Sequence, residues 1–135
     1  MSQKISNIKL LKKHGLKPTS QRVFLSKILF SGQDMHFCAD DLKKLILKKG
    51  YKMSLATIYN NLQHFANAGL LQRRKASSSK IFFDNNISNH YHFYDEEKQM
   101  LIDIPTSSIK FSNFPKLPEN KKITGVDLII NINKK

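Results

Sequence analysis

His90 and His92, in the run NHYHF, are the first residues whose types and spacing suggest chemistry. On a β-strand, side chains two apart leave the same face, so both imidazoles can meet one ion. An H-x-H pair alone is a common surface feature, but carboxylates are expected beside this one. Asp103, in MLIDIP, lies on the expected partner strand; Asp84 ends the strand before, and His36 precedes the third expected helix. Imidazole nitrogens combined with carboxylate oxygens suit Fe²⁺, Mn²⁺ or Zn²⁺. His14 and His64 have no such company and are expected on the surface. Cys38 is the sole cysteine, which excludes an intrachain disulfide and a cysteine-only zinc site; it is expected to pack as a small apolar residue.

A second group of residues suits nucleic acid. Ser54 is a good helix N-cap, and Leu55, Ile58, Tyr59, Leu62, Phe65 and Ala66 recur at three-and-four spacing up to Gly69. Removing that face leaves Thr57, Asn60, Asn61 and His64 for solvent or a partner. Asn can bond adenine through two hydrogen bonds and Thr can touch a thymine methyl, so Thr57, Asn60 and Asn61, with Ser54 and Tyr59 beside them, are the candidate base readers. Lys17, Arg22, Arg73, Arg74 and Lys75 are the candidates for gripping phosphate or probing a minor groove. The charge distribution favours this reading over an ordinary solvated helix. Residues 1–84 hold 13 Lys and 3 Arg against 4 acids, whereas residues 85–135 hold 7 Lys against 6 acids. The codon bias of an AT-rich genome could set the Lys-to-Arg ratio, but it would not strip acids from one half only. A one-sided positive field points to a polyanion.

Other classes fit less well. No run of 18 apolar residues exists, so no transmembrane helix is expected, and the start MSQKISNIKLLKKHG lacks the apolar core of a secretory signal; the cytoplasm is the expected location. A metal-dependent hydrolase using His90, His92 and Asp103 would need a general base and a phosphate-holding loop, and neither accompanies them. A nucleoid-type DNA binder without a ligand is a further option, disfavoured by the filled set of candidate ligands.

These residues need elements to position them. Ile5, Ile8 and Leu11 give a first helix ending at Gly15. Pro18 and Thr19 open a second that ends near Gly32, and a third spans about 39–49, with Asp40 and Asp41 favourably in its first turn. The Ser54 helix follows, then two strands, LLQRRK and KIFFD, around a turn of Ser77, Ser78 and Ser79. Helices followed by a basic hairpin make a winged helix-turn-helix over residues 1–84. Beyond it, HYHFYD and MLIDIP read as strands joined by the charged turn 96–99. A short amphipathic piece over 106–111 and a final strand, ITGVDLIINI, follow, with Val126, Leu128, Ile130 and Ile132 on one face. The expected fold class is α+β: an N-terminal winged helix-turn-helix domain, 1–84, and a small C-terminal α/β domain, 85–135. Three short strands do not make a stable sheet alone, so pairing with a second copy is expected, and a two-fold dimer suits palindromic DNA.

The ordered set GLKPTSQRVFLSKILF, HFCADDLKK, SLATIYNNLQHFANAGLLQR, KIFFD, NHYHF and LIDIP resembles the iron-sensing Fur superfamily over nearly the whole chain. SLATIYNNL, HYHF and LIDIPTSSI are most similar to its Irr branch, the iron response regulators of alphaproteobacteria. The resemblance implies a homodimer that binds AT-rich inverted repeats in double-stranded DNA, with base contacts on Tyr59 and Asn60 and a minor-groove lysine at Lys17. It also implies a regulatory metal site on His36, Asp84, His90, His92 and Asp103, with Asp at 84 and 103 where the family usually has Glu. Ligands drawn from both halves would let the ion set the spacing of the recognition helices. The CxxC pairs of most Fur proteins are missing, as in Irr, and Asn89 and Tyr91 stand where a second metal site would have ligands. Irr-like sensing implies haem held by His90, Tyr91 or His92 and DNA affinity that falls as iron or haem rises. Here Tyr91 replaces the middle of three histidines, and the Cys-Pro haem motif is missing. The alternative is a conventional metal co-repressor that senses Mn, Fe or Zn and binds DNA only when loaded.

Overall fold

The computed structural model describes residues 3–76, 80–88 and 90–135, with side chains from Ser6 onward. Ile5 as a packing residue, the serine turn 77–79 and Asn89 therefore lie outside the described residues. The chain divides into two compact units that meet between Ile87 and Ser88. The first runs three residues past the expected boundary at 84 because Asn85 is tied into it. Its Nδ2 donates to the carbonyls of Leu29 (2.7 Å) and Gln33 (2.8 Å), and its Oδ1 accepts from the Met35 N–H (2.8 Å).

The first unit orders its elements as α1 (Gln3–Lys13), α2 (Ser20–Leu29), β1 (His36–Phe37), α3 (Ala39–Lys48), α4 (Leu55–Asn67), β2 (Gln72–Lys75) and β3 (Ile81–Asp84). Local chemistry fixes the helix ends. Thr19 caps α2 by accepting from the Arg22 N–H (3.3 Å), and Ser54 caps α4 by accepting from the Thr57 N–H (3.1 Å). At the other end of α4, Gly69 takes φ +86°, a conformation that is strained for residues with a Cβ. That turn lets the Leu70 N–H reach the Phe65 carbonyl (2.9 Å) and the Gly69 N–H reach that of Ala66 (3.1 Å), closing the helix. Gly50 ends α3 in the same way, through Tyr51 N–H to Ile46 C=O (3.1 Å).

The apolar faces of the helices meet in one core. Leu11, Leu25, Leu29, Leu42, Ile46, Ile58, Leu62 and Phe65 are buried in it, each stabilising the fold by about 1.5–3 kcal/mol relative to exposure. The sheet covers that core with one face. β3 lies in the centre, antiparallel to β1 and β2, with His36 opposite Asp84, Phe37 opposite Phe83, and Arg74 opposite Phe82. Alternation puts Phe37 and Phe83 on the helix side and His36, Asp84, Phe82 and Arg74 on the other. The two-residue strand β1 has no counterpart in the sequence reading, which placed His36 only as lying just before α3.

The second unit is a three-stranded sheet, with β4 (Tyr91–Asp95) between β5 (Met100–Ile104) and β6 (Ile129–Ile132). β4 and β5 form a hairpin whose turn, 96–99, is held by the Asp95 carboxylate, which accepts from the N–H groups of Glu97 and Lys98 (both 3.0 Å). β6 returns parallel to β4, with Ile129 beside His92 and Ile130 beside Phe93. The expected amphipathic piece after β5 is a single 3₁₀ turn, Thr106–Ser108, and the last strand is shorter than expected. Ile130 is 38% exposed, because it shares a face with Phe93 and Ile102 rather than with the buried Tyr94 and Leu101. Among the described residues no helix is long and apolar enough to cross a membrane. The helices and two sheets form the expected α+β fold.

Candidate metal centre and nucleic-acid interface

In the second unit, register places His92 opposite Asp103. His92 is buried, and its Nε2 lies 3.3 Å from Asp103 Oδ1. His90 brings its own Nε2 to 3.4 Å from the same oxygen, with the two imidazole rings 4.4 Å apart. His90 Nδ1 lies 2.9 Å from the Ser88 carbonyl. A carbonyl can only accept, so Nδ1 is the donor there and Nε2 is the nitrogen turned toward Asp103. Two imidazole nitrogens and a carboxylate oxygen thus converge on one point, a donor set suited to a cation. The spacing fits a metal ion: ligands at roughly 2.0–2.1 Å in a tetrahedron stand about 3.3 Å apart. The donor set of two nitrogens and a carboxylate therefore fits a divalent ion.

Tyr91, grouped with the two histidines as a haem candidate, does not join them. Strand alternation turns it to the opposite face from His92, where its ring packs edge-on against Phe111, centroids 5.9 Å apart.

The first unit carries the other two sequence-derived ligands side by side. His36 and Asp84 pair across β1 and β3; Asp84 is 1% exposed and accepts from the Asn86 N–H (2.9 Å). Beside it lies a group that sequence reasoning misassigned. Arg74, expected to grip DNA, is 5% exposed, with Nε 3.9 Å from Asp84 Oδ2. The alternation of QRRK against IFFD carries the signal for this pairing, since residues 74, 82 and 84 must share a face.

Of the expected base readers, Asn60 is exposed and Thr57 half-buried on the outer side of α4. The Ser54 hydroxyl is committed to capping and also donates to Thr57 Oγ1 (2.8 Å). Tyr59 is half-buried, with its ring edge-on to Phe83 and its hydroxyl accepting from Gln63 Nε2 (2.9 Å). Asn61, read as facing outward, is buried: its Nδ2 donates to the Thr57 carbonyl (3.0 Å) and its Oδ1 accepts from Arg22 Nε (3.2 Å). The broad apolar face of α4 explains the error, because residue 61 adjoins Ile58 and Leu62. Arg22 is half-buried and also donates to the Lys17 carbonyl (3.1 Å), while Lys17 itself is exposed. Arg73 is exposed but tethered to α4, donating to Gln63 and to Asn67 Oδ1 (2.6 Å). Cys38 is buried at the start of α3, and burial pushes its thiol pKa up. His64 is exposed as expected, and His14, half-buried, has its Nδ1 2.9 Å from the Leu10 carbonyl.

The ferric uptake regulation protein of Neisseria meningitidis serogroup C is 38% identical to the chain over 71 residues, covering 53% of this chain and 49% of that protein. That of Haemophilus influenzae is 40% identical over 67 residues, covering 50% and 46%. The chain thus spans about half the length of these curated relatives in each match. Among solved structures, the ferric uptake regulator of Pseudomonas aeruginosa with manganese superposes with a TM-score of 0.73 at 25% identity, covering 96% of this chain and 98% of that one. That of Vibrio cholerae gives a TM-score of 0.77 at 22% identity over 95% and 99%, a likeness of fold. Residues 13–130 match the Ferric uptake regulator family, and with the match spanning most of the sequence, the chain belongs to that family.

Proposed function

We propose that the protein is a metal-responsive transcription regulator that binds DNA as a homodimer in the cytoplasm when a divalent ion is bound. The observation that carries this reading is the convergence of His90 Nε2 and His92 Nε2 on Asp103 Oδ1, within 3.4 Å. The ligand set we assign is His36, Asp84, His90, His92 and Asp103. The ion, Fe²⁺, Mn²⁺ or Zn²⁺, would supply positive charge and fixed coordination angles. Family membership and the manganese-bound Pseudomonas relative support a divalent ion over haem, and so does Tyr91, which stands on the sheet face opposite His92. Haem sensing of the Irr type, with DNA released on loading, is the second reading and rests on the motifs SLATIYNNL and LIDIPTSSI.

Base reading falls to Asn60 and Thr57, with Tyr59 at their side and Ser54 holding the helix end. Lys17, Arg22 and Arg73 supply the phosphate contacts, with Arg22 and Arg73 held in place by Asn61, Gln63 and Asn67. Asn61 supports this face from within. For the dimer we favour the apolar sheet face of Met100, Ile102 and Ile130, which are 52%, 44% and 38% exposed. An AT-rich inverted repeat is the operator class that such a two-fold protein with Asn and Thr at its reading positions would select.

Fluorescence anisotropy of a labelled inverted repeat, with Mn²⁺ and haem titrated separately at fixed salt, tests the reading. Affinity should rise with stoichiometric Mn²⁺, and His90→Ala with His92→Ala should abolish that response. Release of DNA by stoichiometric haem would replace this reading with the Irr-like one.

A further inference from the structure

We infer that Arg74 is a built-in competitor for the metal, a resident cation that sets how much divalent ion the protein needs before Asp84 is taken. The inference rests on the assignment of Asp84 as a ligand. Arg74 and Asp84 lie on one face of the β2–β3 ladder, two residues apart diagonally, at 3.9 Å, with 5% and 2% of their side chains exposed. A guanidinium does not give up its proton, so a buried one requires a nearby anion. Arg74 therefore stabilises the buried negative charge of Asp84 in the metal-free protein. A divalent ion arriving at Asp84 meets that fixed positive charge in a setting where water screens poorly. Arg74 thus has opposite effects on the two states: it stabilises the empty protein and weakens the loaded one.

The test uses the full chain and Co²⁺, whose d–d absorption reports binding directly. Arg74→Gln, which keeps hydrogen-bonding capacity but removes the charge, should bind Co²⁺ about tenfold more tightly, the size of effect expected from removing a buried like charge. Without metal it should melt at a lower temperature than wild type. Arg74→Lys, which restores the charge, should return the affinity to within about threefold of wild type. Asp84→Asn should bind more weakly, and adding Arg74→Gln to it should give no gain. An Arg74→Gln affinity equal to or below wild type, with Asp84→Asn still weakened, overturns the role of Arg74 while leaving the site assignment standing. An Asp84→Asn affinity equal to wild type overturns the assignment of Asp84 and the inference with it. Should Arg74→Gln not fold without metal, refolding in Co²⁺ is the readout: recovery supports the inference and failure to recover overturns it.

Discussion

Asn60 and Asn61 are neighbours of the same residue type, yet the structure gives them different work, and truncating each to Ala should separate the two roles. Asn61 is 8% exposed and makes two hydrogen bonds, to the Thr57 carbonyl at 3.0 Å and from Arg22 Nε at 3.2 Å. A buried neutral bond contributes about 1 kcal/mol, and a bond from a charged donor roughly 1.5–3 kcal/mol. Arg22 is half-exposed, so water recovers part of its interaction, and about 2 kcal/mol in total is the expected cost of Asn61→Ala. For a unit of this size, with a urea slope of roughly 1 kcal/mol per molar, the midpoint should fall by about 2 M. Asn60→Ala, at an exposed helical position, should change stability by less than about 0.5 kcal/mol. On a matching DNA site, Asn60→Ala should instead cost about 1–3 kcal/mol and blur base preference. Circular dichroism at 222 nm is the appropriate stability probe, since α1 to α4 all precede Ile87. DNA affinity comes from anisotropy on matched and scrambled duplexes. An unchanged urea midpoint for Asn61→Ala, or equal losses on matched and scrambled DNA for Asn60→Ala, would refute the division of labour.

Three shorter predictions follow from the same geometry. Ser54→Ala removes the cap of α4 and should cost about 1 kcal/mol in urea unfolding, with Ser54→Asp retaining most of it; equal losses for both would show that the cap is not the cause. Lys17→Ala should weaken specific and random DNA alike and flatten the salt dependence by about one ion, measured as the slope of log affinity against log salt; an unchanged slope removes Lys17 from the phosphate contacts. Cys38, buried and with its thiol pKa raised by that burial, should react with a disulfide reagent far more slowly than a free thiol at pH 8 and catch up in urea; a native rate equal to that of the free thiol would contradict its placement.

Much of this was legible in the sequence because the relevant signals were local. The caps Thr19 and Ser54, the stops at Gly50 and Gly69, and the charged turn 96–99 each act within a few residues of themselves. The His90–His92–Asp103 cluster was equally accessible, since strand alternation and one hairpin suffice to place it. What escaped depended on pairing between distant segments. β1 exists because His36 and Phe37 find β3 almost fifty residues later, and no propensity of a two-residue stretch could announce it. Arg74 and Asn61 were assigned to the surface on residue type, and both are buried, one against a carboxylate across a strand pair and the other under Arg22. The last strand was read too long because periodicity in ITGVDLIINI starts before the point where pairing with β4 begins, near Leu128.

The parallel return of β6 has a consequence for synthesis on the ribosome. A nascent chain that has exposed residues up to Ile87 already holds every strand and helix of its first unit and can close that core while translation continues. The second unit has no such opportunity. β4 and β5 can form their hairpin early, but the other edge of β4 must wait for residues 129–132. During that interval β4 carries an unpaired row of N–H and C=O groups beside the bared apolar side chain of Phe93. Such an edge can recruit another strand, including the same strand from a neighbouring chain on the same message. Slow translation across the 105–128 connection would lengthen the exposure, so the yield of correctly paired protein should depend on codon speed in that stretch more than in the helical half.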